Sequence, residues 1–270
     1  MIVMDEGKDA RAPANFQDCF KIMETLFERP APIKPGLTFE NAKDLDELES
    51  LYGNNSFIDI QRELTNDRII ALNKETRKVL TAPLKTDTPD GFTNYVTKEE
   101  GDLLYKELAQ DKVHQNHACY DPKGTVGFCF GRATIAHMEA LIRGLNPDSI
   151  RKVWIAGDMD KWGHHVATMV KSKDGWYVID TNLGRLVTIE EWIDYYKPYK
   201  KKGAKEIMVF ISRADRFGPY DSQNYNGVNL FNTTTTNYDR SADFYRGYFQ
   251  DYFEALDKER RIVKKFPVRK

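Results

Sequence analysis

The sequence predicts an α+β protein, and two observations carry that prediction. A helical periodicity over residues 128–144 puts Ile135, Met138, Leu141 and Ile142 on one inner stripe. Short β-branched or aromatic runs follow at 152–156, 165–170, 176–179 and 207–211, with Lys173, Asp174 and Gly175 joining two of them as a hairpin. One helix followed by consecutive antiparallel strands is an α+β order.

The elements around this centre are read from local signals. Residues 16–27 form an amphipathic helix candidate ended by Pro30, Pro32 and Pro35. Between 41 and 80, Leu45, Leu48, Leu51, Ile58, Leu64, Ile69, Ile70 and Leu72 recur at three- and four-residue steps, the pattern of helices packed on one side. Pro89, Asp90 and Gly91 mark a turn-rich connection, and a helix is expected over 98–109. This places a boundary near residue 90: an N-terminal arm and helical segment over 1–90, a catalytic core over 91–270. Thr188, Ile189, Glu190 and Glu191 open a further helix. Residues 213–237 are polar and Gly/Asn-rich, with a threonine run at 233–236, and are expected to rim or cover a site. A last helix is expected over 241–263, where Phe244, Tyr248, Phe249, Tyr252, Phe253 and Leu256 form a packing stripe.

Composition excludes several classes of function. A chain of 270 residues, 41% hydrophobic, can bury one substantial core. Forty Lys+Arg against 41 Asp+Glu give a formal net charge of −1, so no global field points to nucleic acid or an anionic membrane. No apolar run of about eighteen residues exists to span a bilayer. The first residues lack the basic and long apolar segments of a secretory signal, which leaves secretion after processing and a cytoplasmic location both open. With three cysteines, Cys19, Cys119 and Cys129, at least one thiol is unpaired. A Cys19–Cys119 bridge is conceivable in an oxidising compartment.

Cys129 lies in Gly127-Phe128-Cys129-Phe130-Gly131-Arg132, at the start of the expected helix. A helix N-terminus carries about half a positive charge and unpaired N–H groups, which favour thiolate over thiol. A lone cysteine is more often a small buried hydrophobe. His165 and Asp180 change that balance. His165 heads one strand of the hairpin and Asp180 ends the other, and in an antiparallel pair those two ends are neighbours. The carboxylate would orient the imidazole, and the imidazole would activate the thiol. His164 competes with His165, since consecutive strand residues face opposite ways.

These segments resemble a known family. Gly-Phe-Cys-Phe-Gly-Arg-Ala before a helix, then His-Val-Ala-Thr-Met-Val, then Gly-Trp-Tyr-Val-Ile-Asp-Thr, are similar to the Cys-His-Asp core shared by transglutaminases and bacterial protein-glutaminases, a branch of the papain-like fold. The resemblance covers residues 124–182. It implies a papain-like core in which a helix bearing the nucleophile packs on an antiparallel sheet. It also implies Cys129 as nucleophile, His165 as general base and acid, and Asp180 as its orienter. The implied chemistry is attack on a glutamine γ-carboxamide to give a thioester and ammonia, resolved by water in a deamidase or by a lysine amine in a transglutaminase. No cofactor is needed, and the partner is a protein or peptide glutamine.

An oxyanion donor is needed as well: the Cys129 backbone N–H is the first candidate, with Gln115 or Asn116 as a second, by analogy with the upstream glutamine of papain-like peptidases. Trp162, His164 and Trp176 are candidates to line the substrate cleft. His114, His117 and Cys119 have spacings that could ligate zinc but lack a clear fourth ligand, so no metal is assigned. Asp158 and Asp160 read as a polar turn before a cation loop. The expected activity is deamidation of protein glutamine. Transglutaminase or cysteine peptidase are the near alternatives, and a non-catalytic interaction domain retaining the fold is the alternative of another class. The polar character of 213–237 favours water as the acyl acceptor.

Overall fold

The protein is described from a computed structural model, which defines residues 34–53, 55–82, 90–120, 128–160, 162–220, 248–249, 251–252, 255 and 264–269. Five strands, β1 (Ile150–Ala156), β2 (His164–Ser172), β3 (Gly175–Ile179), β4 (Val187–Thr188) and β5 (Met208–Arg213), form a sheet of order β4-β3-β2-β1-β5. Every pairing is antiparallel. With helices around this sheet the chain is α+β, and the expected strands extend by one or two residues at an end, except that β5 starts one residue later than expected. All seven residues of β1 are buried, the mark of a strand covered on both faces. Its two basic residues are satisfied there: Lys152 Nζ donates to the Arg216 carbonyl at 2.6 Å, and Arg151 reaches Asp46 at 3.0 Å.

Three helices, α1 (Leu45–Tyr52), α2 (Phe57–Glu63) and α3 (Asn66–Leu80), realise the periodicity of 41–80. Asp44, Ser56 and Thr65 cap them by accepting a backbone N–H three residues on. Their apolar faces meet the outer strands. The Phe57 ring stacks on Phe210 at 4.2 Å, and Asn73 both donates to the Ile207 carbonyl and accepts from the Val209 N–H, each at 2.8 Å. Helix α4 (Lys98–Gln110) opens with a full capping box from Thr97 and Glu100, and α5 (Lys112–Gln115) follows it.

Helix α6 (Cys129–Ile142) is buried on nearly all sides, consistent with its run of Ala, Ile, Met and Leu. It lies along β2, where Thr168 Oγ1 donates to the Ala133 carbonyl at 2.6 Å. Helix α7 (Ile189–Tyr196) starts at the expected Thr188, which forms a capping box with Glu191. Trp192 and Tyr196, one turn apart, are its buried face.

Part of the expected rim is corrected. Ala214, Asp215 and Arg216 are buried beneath β5 rather than exposed at a cleft, because β5 runs on to Arg213 and Arg216 turns inward to stack on the Phe57 ring, 3.6 Å from its centroid. Residues 221–237, with the threonine run, lie outside the described residues, as do the helix expected at 16–27 and Cys19. Cys119 is a free, exposed thiol. Of the C-terminal aromatic stripe, Tyr248, Phe249 and Tyr252 are described, and all three are fully buried. Among the described residues no helix is long and apolar enough to cross a membrane.

Candidate active site

Helix α6 and strand β2 bring the three expected residues together. Thr168 on β2 touches Ala133 on α6; one turn before Ala133 is Cys129, and three and four residues before Thr168 are His165 and His164. Alternation along β2 gives His164 the side of Thr168, facing α6, and His165 the opposite side. On that opposite side His165 Nε2 meets Asp180 Oδ2 at 2.7 Å. The β2–β3 register pairs Thr168 with Ile179, so Asp180 lies diagonal to His165 rather than directly across from it. Both imidazoles lie close enough to the Cys129 sulfur to act on its thiol. With Nε2 of His165 on the carboxylate, Nδ1 is the nitrogen left for the sulfur.

Asp180 is held unusually firmly. Its Oδ2 accepts from His165, from Trp192 Nε1 at 2.9 Å and from Tyr196 OH at 2.8 Å, while Oδ1 accepts the Asn182 backbone N–H at 3.1 Å. One carboxylate therefore both orients the imidazole and caps the short 3-10 helix Thr181–Leu183. The rings of Trp192 and Tyr196 also flank His165, at 5.8 and 4.4 Å between centroids.

The electrostatics follow from this packing. Burial by itself would raise the Cys129 thiol, but hydrogen bonds from His164 and His165, and their charge, hold it well below the ordinary thiol range. Burial likewise works against a charged His165, yet the Asp180 carboxylate and the sulfur outweigh it and raise the imidazole to about 9. Burial disfavours an ionised Asp180, and the attraction of His165, of the more distant Arg132 and the Trp192 hydrogen bond together keep it well below the carboxylate range. All three shifts favour the charged pattern of thiolate, imidazolium and carboxylate in the resting site.

The remaining expected residues divide. Trp162 stands exposed beside His165, its ring 6.4 Å away, and on its other side lines a cleft of about 580 Å³ with Ile58, Met159 and Lys205. His164 lies at the sulfur. Trp176 is not in the cleft: it pairs with Lys171 at the far end of the hairpin, buried, with Nε1 on the Leu80 carbonyl at 3.2 Å. Nor do Gln115 and Asn116 point at the sulfur. Both are exposed at the end of α5, and the Gln115 amide is spent on the Ala109 carbonyl. The residue of this segment that reaches inward is His114. It is buried, with Nε2 at 3.1 Å from Thr181 Oγ1 and Nδ1 at 3.4 Å from Tyr248 OH, and burial lowers its pKa to about 3. That inward turn separates it from exposed Cys119, so the spacing read as zinc ligands does not converge. Asp158 is a polar turn residue, paired with Lys201 at 2.7 Å.

Sequence reasoning passed over Trp192, Tyr196 and His114. Trp192 and Tyr196 carry a readable signal: two large aromatics with polar atoms at i, i+4, beginning four residues after a capping threonine. His114 carries none, because only the fold shows which of three neighbouring polar residues turns inward.

No family model and no curated protein matches this sequence. Among solved structures the chain is similar to one described as the crystal structure of the A47Q2 mutant of pro-protein-glutaminase, at 15% sequence identity and a TM-score of 0.37. That match takes in 55% of this chain and 61%, less than two thirds, of the other.

Proposed function

We propose that the protein is a cysteine-dependent amidohydrolase that deamidates glutamine side chains of proteins or peptides, with Cys129, His165 and Asp180 as its catalytic groups. The observation that carries this reading is the His165–Asp180 pair, 2.7 Å from Nε2 to Oδ2, placed beside the Cys129 sulfur at the start of α6. The Cys129 thiolate attacks the carboxamide carbon, and the negative charge passes from sulfur to the carbonyl oxygen beside the α6 N-terminus. The C–N bond then breaks, the nitrogen taking the proton of the His165 imidazolium and leaving as ammonia. Neutral His165 next takes a proton from water, whose oxygen attacks the thioester carbon; the C–S bond breaks to give a carboxylic acid, which loses its proton to solvent, and the thiolate and imidazolium are restored. Asp180 keeps the imidazole in one tautomer and orientation throughout. The choice of a glutamine side chain over a backbone amide rests on the resemblance of residues 124–182.

The test is intact-mass analysis of a glutamine-rich protein incubated with the enzyme, alongside ammonia release. A gain of about one dalton per site without chain scission, absent in Cys129→Ala, is expected. New N-termini would assign a peptidase instead, and incorporation of an added primary amine would assign a transglutaminase. Absence of all three products would end the catalytic reading.

A further inference from the structure

The oxyanion of the first step needs a second donor, and among the described residues Gln115 and Asn116 do not supply it. His165 cannot fill that place, because its proton is committed to the leaving nitrogen. We infer that His164 is a second working imidazole of this site, donating its N–H to the Cys129 sulfur at rest and to the substrate carbonyl oxygen once the charge has moved there. This rests on the reading of Cys129 as the nucleophile.

Three observations place it. His164 lies on the side of β2 where Thr168 meets Ala133, one turn from Cys129, and like His165 it acts on the sulfur. Its ring is wedged between Trp154, 6.5 Å away and fully buried, and Tyr220, 6.0 Å away and edge-on. Trp154 is itself fixed by its Nε1 bond to Ser212 Oγ at 2.8 Å. Finally, among the described residues no carboxylate pairs with His164, whereas His165 is tied to Asp180. One imidazole is thus built for proton transfer, and the other is held near the sulfur without a base behind it. The titratable groups around His164 are Cys129, His165 and Tyr220, with buried Lys152 on the same face of β1. No atom is gained or lost in its role: it donates one hydrogen bond to an anion whose position shifts from sulfur to oxygen as the S–C bond forms.

Two thiol probes separate this role from others. Iodoacetamide alkylates the thiolate without creating an oxyanion, while a small aldehyde adds reversibly to give a hemithioacetal whose oxygen carries the charge. In His164→Ala the acid limb of alkylation should move to higher pH, because a donor to the thiolate is lost, with the plateau rate kept within about threefold. Aldehyde affinity measured on that plateau should fall about 100-fold, the usual cost of one oxyanion donor, and His164→Gln, which keeps an N–H, should recover at least tenfold of it. Unchanged aldehyde affinity in both variants, or an acid limb that does not move, would overturn the inference. Because neither probe needs the natural substrate, its failure stays distinct from a failure of the glutamine assay. If Cys129 alkylates no faster than Cys119 in the wild-type protein, the nucleophile reading itself is lost, and His164 with it.

Discussion

Replacing Asp180 with Asn tests the site at its most constrained atom. Oδ2 accepts from three donors, His165 Nε2, Trp192 Nε1 and Tyr196 OH. An amide there presents either an NH2 group, which faces three donors with a fourth, or a neutral oxygen, which accepts them without charge. The raised value of His165, about 9 against an ordinary 6.5, means the imidazolium is favoured by roughly 3 kcal/mol at about 1.4 kcal/mol per unit. Taking half to two thirds of that from Asp180, its loss costs about 2 kcal/mol, or about 30-fold in the protonation constant of the imidazole. Misorientation of a ring no longer tied to a carboxylate adds a further one to two orders, so kcat/KM should fall about 10³-fold. The assay is ammonia release across pH 5 to 10 with far-UV circular dichroism as a control for folding. The alkaline limb, set near 9 by His165 in the wild type, should shift toward about 7.5 in the variant. A rate within tenfold of wild type, or an alkaline limb that stays in place, would refute the assignment of Asp180 as the orienter.

Other outcomes follow from the same geometry. Tyr196→Phe removes one donor from Oδ2 and leaves more charge for His165; the alkaline limb should therefore move upward, opposite to Asp180→Asn, with a rate loss of about tenfold, and a downward shift in the pH profile would contradict it. Cys129 should alkylate with iodoacetamide at pH 6 faster than exposed Cys119 or Cys19, as peptide mapping would show, and equal rates would count against a thiolate. The ion pair also predicts a pH signature of stability. His165, raised, contributes stability that is present below about 6.5 and lost as pH rises toward 9, while Cys129, lowered, contributes stability present above the unfolded thiol value near 8.5 and lost as pH falls. Between about 6.5 and 8.5 the two slopes oppose, so urea midpoints of the wild type should be nearly flat there, whereas Cys129→Ala should lose stability with rising pH; parallel curves would show that no ion pair forms. Gly131→Ala places a methyl 3.1 Å from both Phe128 Cδ1 and Tyr248 Cε1, which should displace the start of α6 and lower activity more than it lowers Tm; an unchanged rate would show that the α6 N-terminus tolerates the shift.

How much of this was legible in the sequence depends on whether a signal is local. The strands of the centre, the capping threonine at 188 and the approach of His165 to Asp180 follow from local capping signals, alternation and short hairpin counting, which need no knowledge of distant contacts. Trp176 was misplaced because an aromatic near Asp180 in sequence is four residues of extended chain away in space, about 13 Å. Gln115 and His114 differ by one position on a short helix, and which of them turns inward is decided by Thr181 and Tyr248, far along the chain. The burial of 214–216 was hidden for a related reason. Arg216 is polar by composition, yet the Phe57 ring and the carbonyls of Asn55 and Gly218 give it an interior place.

Cys129 and the His165–Asp180 pair belong to different layers. Cys129 rides on a helix against one face of the sheet, while His165 and Asp180 are secured from the other face by Trp192 and Tyr196 of α7. Neither layer alone can lower the thiol. The reactivity of Cys129 at acidic pH therefore reads out the docking of both layers on the sheet, and should vanish in any compact state that keeps its helices and strands but loosens their packing. Timed alkylation during refolding would then mark the moment at which the interior becomes fixed, later than the recovery of secondary structure, with the chain's own chemistry serving as the probe.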